Sequence, residues 1–379
     1  MGTLLTEPPM TSRYADLGVR PVINAAATLT RLGGSRMPPA VLEAMRSGSD
    51  AFVDMLELQR HVGARIAELT GNEACYVSAG AAAGIAISIA ACIAGTNAEL
   101  IHRLPEVSDT KSEVVVFRSQ RNSYDQAARQ TGARIVEVDA ADFERALSHH
   151  TACVLFFAGA HYSADAAALE DVIHFAHGRN IPVLVDAAAQ IPPVSSLHHF
   201  TCQLGADAAI FSGGKGLRGP QSSGLVLGRR PLIEACIANG PPNHSLGRPM
   251  KVGKEELLGL LAAVEWSLAQ DEASLLAGYE AMVQRWIEGL QGLRGVRVER
   301  GYPSEAGQPH GRAIITLTAE SRLTRAQLVE KLWDSTPRIA VGEVGADAIA
   351  LNPQTVEPGE DEQILAALRR VLGNERTNA

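Results

Sequence analysis

Short apolar runs alternate with helical patterns through the first two thirds of this chain, and this alternation constrains its fold more than any other feature. Runs rich in β-branched or aromatic residues lie at 113–118, 134–138, 152–157, 182–185, 207–211 and 223–227. Apolar residues at helical spacing lie between several of these runs, as at 166–178. Short strands separated by helices form a mostly parallel sheet that helices cover on both faces. We therefore predict an α/β fold.

The remaining patterns extend this prediction to the whole chain. Apolar residues recur at helical spacing over 56–70, and Ala81–Gly95 is typical of a buried helix. After residue 253 the pattern changes to long helices over 254–293, followed by four strand-like runs that alternate with helices near 324–334 and 361–372. This part predicts a second, smaller α/β domain.

A chain of 379 residues is longer than one ordinary domain. We predict three parts: an N-terminal segment at 1–50 with an active-site loop, a large domain at 51–255, and linking helices with a small C-terminal domain at 256–379.

Composition excludes several classes of function. The formal net charge is -8 and no long Lys/Arg run occurs, so the electrostatic footprint of a nucleic-acid-binding protein is missing. The five cysteines form no C-x-x-C pair, and we expect free thiols in a reducing cytoplasm and no metal site. Neither a signal-peptide pattern nor an apolar run long enough to span a bilayer is evident, so no membrane partner is expected.

The first chemically informative feature is a run of small residues from Ser78 to Gly84, directly after the apolar run ACYV. Small residues at a strand-to-helix turn allow backbone N–H groups to approach an anion, and a helix N-terminus favours negative charge. Tight packing is an equally common reason for such a run. The glycine spacing of a dinucleotide-binding loop is not met.

The second feature is Asp186, at the end of the apolar run IPVLVD. Ligands of open parallel sheets bind outside the carboxyl ends of the strands. A carboxylate in that position can keep the ring nitrogen of a bound ligand protonated. The alternatives are a helix N-cap and a salt-bridge partner, which are common roles for such an aspartate.

The third feature is Lys215, which lies among small residues in SGGKGLRGPQSSG after another strand-like run. Burial of a lysine amine lowers its pKa, and the neutral amine can form an imine. A surface lysine in a flexible loop is the alternative. A nucleotide-binding P-loop would require Gly at 209 and Ser or Thr at 216, where the chain has Ala209 and Gly216.

Together these features place an anion cradle, an aspartate and a lysine at the ends of successive strand-like runs. That set is what a fold-type I pyridoxal 5'-phosphate (PLP) enzyme requires. The segment SGGKGLRGPQSSGLVLG resembles the signature of the selenocysteine synthase-like branch of these enzymes. The segments DAAAQIPP, RNSYDQAARQTG, LGRPMKVGKEE and INAAATLTRLGGSRM look closer to its D-glucosaminate-6-phosphate ammonia-lyase group. The resemblance extends from about Leu17 to the last helix.

The resemblance implies an aspartate aminotransferase-like fold in which the large domain binds PLP. It also implies a role for each matching residue. Lys215 carries PLP as a Schiff base and later acts as the base at Cα, while Asp186 pairs with the pyridine nitrogen. The other implied cofactor contacts are Gly80, Ala81, Ala82 and Ser212 at the phosphate, Gln190 and His161 near the ring hydroxyl, and Asn122 or Tyr124 over the ring.

Cationic residues are the implied substrate ligands. Phosphate or substrate anions would be bound by Arg218, Arg248 and Lys251, and these contacts could cross a subunit interface. The substrate would be covered by Arg31 and Arg36. Each assignment has a structural alternative. His161 can cap the following helix, Tyr124 can be a core aromatic residue, and Arg36 and Arg248 can be solvated.

The sequence also departs from the pattern of the family. The strand region DAIALNPQTVEPGE contains no arginine for a substrate carboxylate, so Arg338 or an arginine of the N-terminal loop would have to bind it. The small-residue loop is SAG where T-S-G is expected in the lyase group. Selenocysteine synthases act on a charged tRNA and carry an extra N-terminal domain, for which this acidic chain leaves no evident room.

We predict a PLP-dependent lyase that removes ammonia from a β-hydroxy amino acid by α,β-elimination, with D-glucosaminate 6-phosphate as a candidate substrate. A racemase, aldolase or decarboxylase would use the same lysine and aspartate, so these activities remain alternatives. A PLP-fold binding protein without activity is a further alternative from another class. The resemblance also implies a homodimer or a larger homo-oligomer, because active sites of this fold type lie between two large domains.

Overall fold

The computed structural model describes residues 11–159 and 165–373. The chain divides into two compact units. The large unit consists of Gly33–Glu272 together with the short segment Glu305–Pro309. Of the described residues, the small unit contains 11–32, Ala273–Ser304 and 310–373. The three-part division expected from the sequence stays a prediction.

Strands and helices alternate through the large unit. Its strands are β2 (Ala74–Ser78), β3 (Glu113–Phe117), β4 (Arg134–Val138), β5 (Thr151–Phe157), β6 (Val183–Asp186), β7 (Ala208–Ser212) and β8 (Gly224–Gly228), and β1 (Val22–Ala25) belongs to the small unit. Its helices are α2 (Pro39–Gly48), α3 (Met55–Thr70), α4 (Ala81–Ala94), α5 (Ala98–Arg103), α6 (Asp125–Arg129), α7 (Phe143–Ala146), α8 (Leu169–His177), α9 (Ser196–His198), α10 (Arg230–Asn239) and α11 (Lys254–Leu268), and α1 (Thr11–Asp16) precedes β1 in the small unit.

The seven strands of the large unit form one sheet in the order β2-β8-β7-β6-β5-β3-β4. Strands β4, β3, β5, β6 and β7 pair in parallel, while β8 runs antiparallel to both β2 and β7. The α/β fold class is therefore confirmed. Each strand-like run of this part of the sequence forms a strand within one or two residues of the predicted bounds.

Both faces of this sheet are buried, as the near-continuous apolar strands predict. In β3, Val115 and Phe117 pack into one core cluster, and Val114 and Val116 pack into the other. Since successive side chains of a strand point to opposite faces, each strand contributes to two cores at once. The carboxyl ends of the strands are therefore the place where side chains can leave the cores and meet a ligand.

Local signals account for the helices that flank the site. The Asp54 carboxylate accepts a hydrogen bond from the Glu57 N–H at 2.8 Å and begins α3, and Gly71 ends it with a φ of 70°. Helix α4 is buried along most of its length, as its Ile and Ala content predicts. No side chain caps its N-terminus, which begins at Gly80.

The small unit is a five-stranded sheet in the order β1-β11-β12-β10-β9. Its later strands are β9 (Val296–Gly301), β10 (Arg312–Leu317), β11 (Arg338–Val344) and β12 (Ala348–Leu351), and its later helices are α12 (Glu272–Leu290), which starts at the boundary of the units, α13 (Arg325–Asp334) and α14 (Glu360–Gly373). Strand β1 pairs in parallel with β11, and the other pairs are antiparallel. The core surrounds Trp286, whose indole N–H donates to the Asp361 carbonyl oxygen at 3.0 Å.

The cysteines are free thiols in the structure. Cys75, Cys153 and Cys236 are buried, while Cys202 is exposed. Cys202 lies in a turn of π-helix at 199–203, where its thiol donates to the Gly71 carbonyl oxygen at 3.2 Å. None of the helices in 11–159 and 165–373 is long and apolar enough to cross a membrane.

Truncation of a side chain at the centre of the large sheet should destabilise the protein. Leu155 of β5 is fully buried. We expect Leu155→Ala to lower the free energy of unfolding by about 2–5 kcal/mol, because it removes apolar contacts and leaves a cavity. Urea unfolding followed by circular dichroism measures this loss. Leu268→Ala at the exposed end of α11 is the matched control, and an equal loss in both variants would contradict the assignment of this core.

Candidate active site

The ends of four neighbouring strands line one edge of the large sheet. Ser78 at the end of β2 pairs with Gly224 at the start of β8, and Gly224 pairs with Ser212 at the end of β7. Asp186 at the end of β6 pairs with Ile210 of β7. Neighbouring strands lie about 5 Å apart, so the helix that follows β2 and the aspartate that ends β6 lie three strand spacings from each other. Lys215 follows β7, between them.

Lys215 lies in a tight turn at 213–217 that other parts of the large unit surround. At Gly216, an added Cβ would lie 2.1 Å from the Ile191 carbonyl oxygen, so no larger residue fits there. On another side the Ser267 hydroxyl of α11 donates to the Leu217 carbonyl oxygen at 3.3 Å. The small residues around the lysine therefore serve close backbone packing, and they hold the turn rather than make it flexible.

Burial shifts the pKa of Lys215 and of Asp186, and in each case the shift favours the neutral form of the group. Desolvation lowers the pKa of Lys215 and outweighs the charges of Asp186 and Glu305, which raise it. Desolvation also raises the pKa of Asp186, against the opposing effects of the Ala188 N–H, which donates to its carboxylate at 2.9 Å, and of the Lys215 charge. A buried amine with a lowered pKa is a nucleophile for a carbonyl carbon.

The N-terminus of α4 is an open anion site at the same edge. Gly80 has a φ of 122°, which only glycine adopts readily, and the first turn contains Ala81, Ala82 and Ala83 without an acidic residue. The Ser78 hydroxyl is directed away from these N–H groups, because it donates to the Gly80 carbonyl oxygen at 2.9 Å. The first-turn N–H groups of a 14-residue helix thus remain for a phosphate.

These groups match the chemistry of PLP in kind and in order. PLP has a phosphate, an aldehyde and a basic pyridine nitrogen, which require backbone N–H donors, an amine and a carboxylate. The chain presents the α4 N-terminus, Lys215 and Asp186 in that order along the sheet edge. The lowered pKa of Lys215 favours the neutral amine that reacts with an aldehyde. The fold and the site thus define a fold-type I PLP-dependent enzyme.

Comparison with known proteins agrees with this class. Residues 96–250 match the family model "Aminotransferase class-V". A 5'-C-glycyluridine monooxygenase-decarboxylase of Streptomyces sp is 32% identical, over 96% of this chain and 92% of that protein. A D-glucosaminate-6-phosphate ammonia lyase of Salmonella typhimurium is 31% identical, over 94% of this chain and 97% of that protein. A solved structure of D-glucosaminate-6-phosphate ammonia-lyase has a TM-score of 0.82 and 29% identity, and covers 98% of this chain and 99% of that one.

The chain therefore belongs to the fold-type I PLP-dependent enzymes, in the selenocysteine synthase-like branch that contains the D-glucosaminate-6-phosphate ammonia-lyases. Its cofactor is PLP. Both points agree with the resemblance seen in the sequence. The roles of individual residues stay predictions, and the structure shows where each of them lies.

The segment Glu305–Pro309 is a part of the site that sequence patterns do not indicate. It connects β9 and β10 of the small unit but packs with the large unit, against the turn that follows Asp186. The Gln190 side-chain N–H₂ donates to the Ala306 carbonyl oxygen at 2.8 Å, and the Gln308 side-chain N–H₂ donates to the Ala189 carbonyl oxygen at 3.0 Å. These bonds hold Glu305 where its charge acts on Lys215.

The residues expected near the ring lie in different surroundings. Gln190 uses its N–H₂ group on the Ala306 and Ala158 carbonyl oxygens. Asn122 shapes its own turn, because its side chain accepts from the Tyr124 N–H at 2.7 Å. Tyr124 is 49% exposed, so it is not a core aromatic residue. His161 lies outside the described residues.

The predicted cationic ligands belong to different parts of the two units. Arg248 and Lys251 line a cavity of about 140 Å³ beside β2, together with Gln59 and mainly apolar residues. Arg218 contacts the N-terminal loop through the Arg36 carbonyl oxygen. In the small unit, Arg31 is exposed in a short 3-10 helix, and Arg338 lies over the Trp333 ring, 4.5 Å from its centroid.

We predict that the cofactor is attached through Lys215. Protein purified with PLP should show a visible absorption band that borohydride removes, because an imine absorbs there and its reduction ends the conjugation. Lys215→Ala should lack this band, while Lys331→Ala, which changes an exposed lysine of α13, should keep it. A borohydride-sensitive band in Lys215→Ala would contradict the assignment.

The carboxylate of Glu305 should affect the pH dependence of PLP attachment. The Glu305 charge raises the pKa of Lys215, so Glu305→Gln should lower this pKa further. A lower pKa leaves more neutral amine at a given pH, and the pH profile for PLP attachment to cofactor-free protein should move to lower pH. Stopped-flow absorption between pH 6 and pH 10 measures the profile. Glu170→Gln on the exposed start of α8 is the control, and an unchanged profile in Glu305→Gln would show that the two groups do not interact.

Proposed function

We propose that this protein is a PLP-dependent ammonia-lyase that converts a β-hydroxy amino acid to a 2-oxo acid and ammonia. The observation that carries the proposal is the full-length similarity to D-glucosaminate-6-phosphate ammonia-lyase, in sequence and in structure. D-Glucosaminate 6-phosphate, which is a β-hydroxy amino acid, is therefore the first substrate to test.

Lys215 is assigned two roles. It would hold the cofactor through its amine, and once the substrate amine took that place, the freed neutral amine of Lys215 would accept the proton from Cα. Its lowered pKa favours the neutral form that this step requires. The cofactor supplies the electron sink that makes the Cα proton acidic.

Asp186 is assigned to the ring nitrogen. Its carboxylate lies at the end of β6, is buried, and accepts one N–H from the turn that follows. A protonated ring nitrogen beside it would form a buried charge-assisted hydrogen bond, which relieves the unfavourable burial of the carboxylate charge.

The leaving hydroxyl requires a proton, and Lys215 can provide it. After the Cα proton has moved to Nζ, the buried ammonium is a stronger acid than a solvated one, because desolvation lowers its pKa. Transfer of this proton to the β-hydroxyl oxygen breaks the Cβ–O bond and releases water. The Lys215 amine would then displace the product nitrogen from the cofactor, and the freed enamine would tautomerise and react with water to give the 2-oxo acid and ammonia.

A second candidate function has equal support in sequence identity. The relative named 5'-C-glycyluridine monooxygenase-decarboxylase is 32% identical over 96% of this chain. A decarboxylase would use the same lysine and aspartate but break the Cα–carboxylate bond. In the name of that relative this step is joined to a monooxygenase reaction, so consumption of O₂ with release of CO₂ distinguishes the two candidates.

The proposal includes an assembly of at least two copies. Arg248 and Lys251 lie beside β2 at the cavity described above, and in an assembly they would reach an anion in the site of a neighbouring subunit. A cytoplasmic location is proposed from the free cysteines. Analytical ultracentrifugation and cell fractionation test these two points.

Incubation of the holoenzyme with D-glucosaminate 6-phosphate, and with a panel of β-hydroxy amino acids, tests the reaction. We expect stoichiometric release of ammonia and a 2-oxo acid without uptake of O₂. Lys215→Ala should be slower by about 10²–10⁴-fold, because the general base at Cα is lost.

Other results would select another function. Uptake of O₂ with release of CO₂ would favour the decarboxylase, and exchange of the Cα proton without release of ammonia would favour a racemase. Aldehyde release would indicate an aldolase. The absence of turnover over the whole panel would favour a binding protein.

A further inference from the structure

Arg218 has an unusual backbone conformation three residues after Lys215. Its φ is +56°, in the left-handed region that arginine rarely adopts. Its N–H donates to the Lys215 carbonyl oxygen at 3.0 Å and so closes the turn that contains the lysine. A residue other than glycine persists in this region where its surroundings determine the conformation, and such positions cluster at functional sites.

The side chain of Arg218 shows what the surroundings require. Its Nε–H donates to the Arg36 carbonyl oxygen at 2.7 Å, across 182 positions of the sequence. Its guanidinium carbon lies 5.6 Å from the centroid of the Trp266 ring, within the range of a cation–π interaction. The left-handed backbone directs an arginine between α11 and the N-terminal loop, and a glycine would leave both contacts unmade.

The N-terminal loop and the lysine turn also meet on the other side of Lys215. The Ser35 hydroxyl donates to the Gly214 carbonyl oxygen at 2.9 Å. A Cβ on Gly34 would lie 2.4 Å from that oxygen, so the backbones of the two segments are in close contact. Residues 33–36, which we term the N-terminal strap, therefore contact the lysine turn directly before Lys215 and three residues after it.

We propose that Arg218 is a positioning residue that holds the N-terminal strap against the lysine turn and so keeps the Lys215 amine in place for the cofactor. This role replaces the substrate contact expected from the sequence. It rests on the assignment of Lys215 as the PLP lysine and not on the type of reaction. The strap and the lysine turn then move together, so loosening of one segment also loosens the other.

Arg218→Gly separates this role from a role in folding. Glycine adopts a φ of +56° without strain, so the substitution relieves the backbone and removes only the side-chain contacts. Asn180→Gly is the matched control, because Asn180 also has a positive φ, of 53°, and lies in an exposed turn. Arg218→Lys keeps the charge and most of the side-chain length but loses the planar guanidinium group.

Hydrogen exchange followed by mass spectrometry is the first readout, on full-length protein with and without PLP. In Arg218→Gly we expect faster exchange at residues 33–36 and 213–218, with or without PLP, and no loss of thermal stability. Asn180→Gly should exchange as wild type at these residues. Arg218→Lys should fall between the two, because lysine can donate to the Arg36 carbonyl oxygen but cannot stack as a plane on Trp266.

Cofactor attachment and kinetics are the second readout. PLP attachment to cofactor-free Arg218→Gly should be slower, and kcat for a substrate that wild type converts should fall roughly 10- to 100-fold with KM little changed, since the amine is misplaced. An increase in KM alone would identify Arg218 as a substrate ligand and overturn the proposal. Exchange and attachment rates equal to those of wild type would also overturn it. If Arg218→Gly does not fold, wild-type behaviour of Arg218→Lys in both readouts would do the same.

These readouts are independent of the proposed reaction. Exchange in the cofactor-free protein depends on neither PLP nor substrate, and PLP attachment requires no turnover. If the holoenzyme releases no ammonia from any substrate, the lyase function fails while the strap remains testable.

Discussion

Burial of Lys215 and Asp186 at one edge of the large sheet is the constraint on which the site depends. Desolvation disfavours the charged forms of both groups, so it lowers the pKa of the lysine and raises the pKa of the aspartate. Their mutual attraction offsets only part of this effect. Ionisable groups whose pKa values are shifted by burial at the end of a strand are typical of functional sites.

The rest of the large unit maintains this arrangement. Parallel strands β6 and β7 bring Asp186 and the lysine turn to the same edge, and the antiparallel strand β8 places Gly224 between the ends of β7 and β2. Two buried cores on either side of the sheet keep the strands in register. Because interiors are close-packed, a residue at a strand end has little freedom to shift, which is what a positioned amine requires.

Three segments distant in sequence surround the lysine turn. The N-terminal strap contacts it through Ser35 and Arg36, α11 through Trp266 and Ser267, and the turn after β6 through Ile191. The segment Glu305–Pro309 adds the Glu305 carboxylate, whose charge raises the pKa of Lys215 and so opposes the effect of burial. The reactivity of the amine is thus a balance between burial, which favours the neutral form, and two carboxylates, which favour the charged form.

The sequence by itself determined the α/β class, most of the strands and the longer helices of the described residues, because apolar periodicity is a local signal. The small residues around Lys215 likewise indicated the cofactor chemistry. The family resemblance, carried by the same segments, indicated PLP. Local patterns contain no information about contacts across 182 positions, so the hydrogen bond from Arg218 to the Arg36 carbonyl oxygen was not evident from the sequence. Glu305 was missed for the same reason, because only the packing of its loop with the large unit brings its charge to Lys215. The positions of Arg248 and Lys251 beside β2, at a cavity with Gln59, were likewise decided by the tertiary structure, since the fold and not the spacing of cations determines which side chains meet.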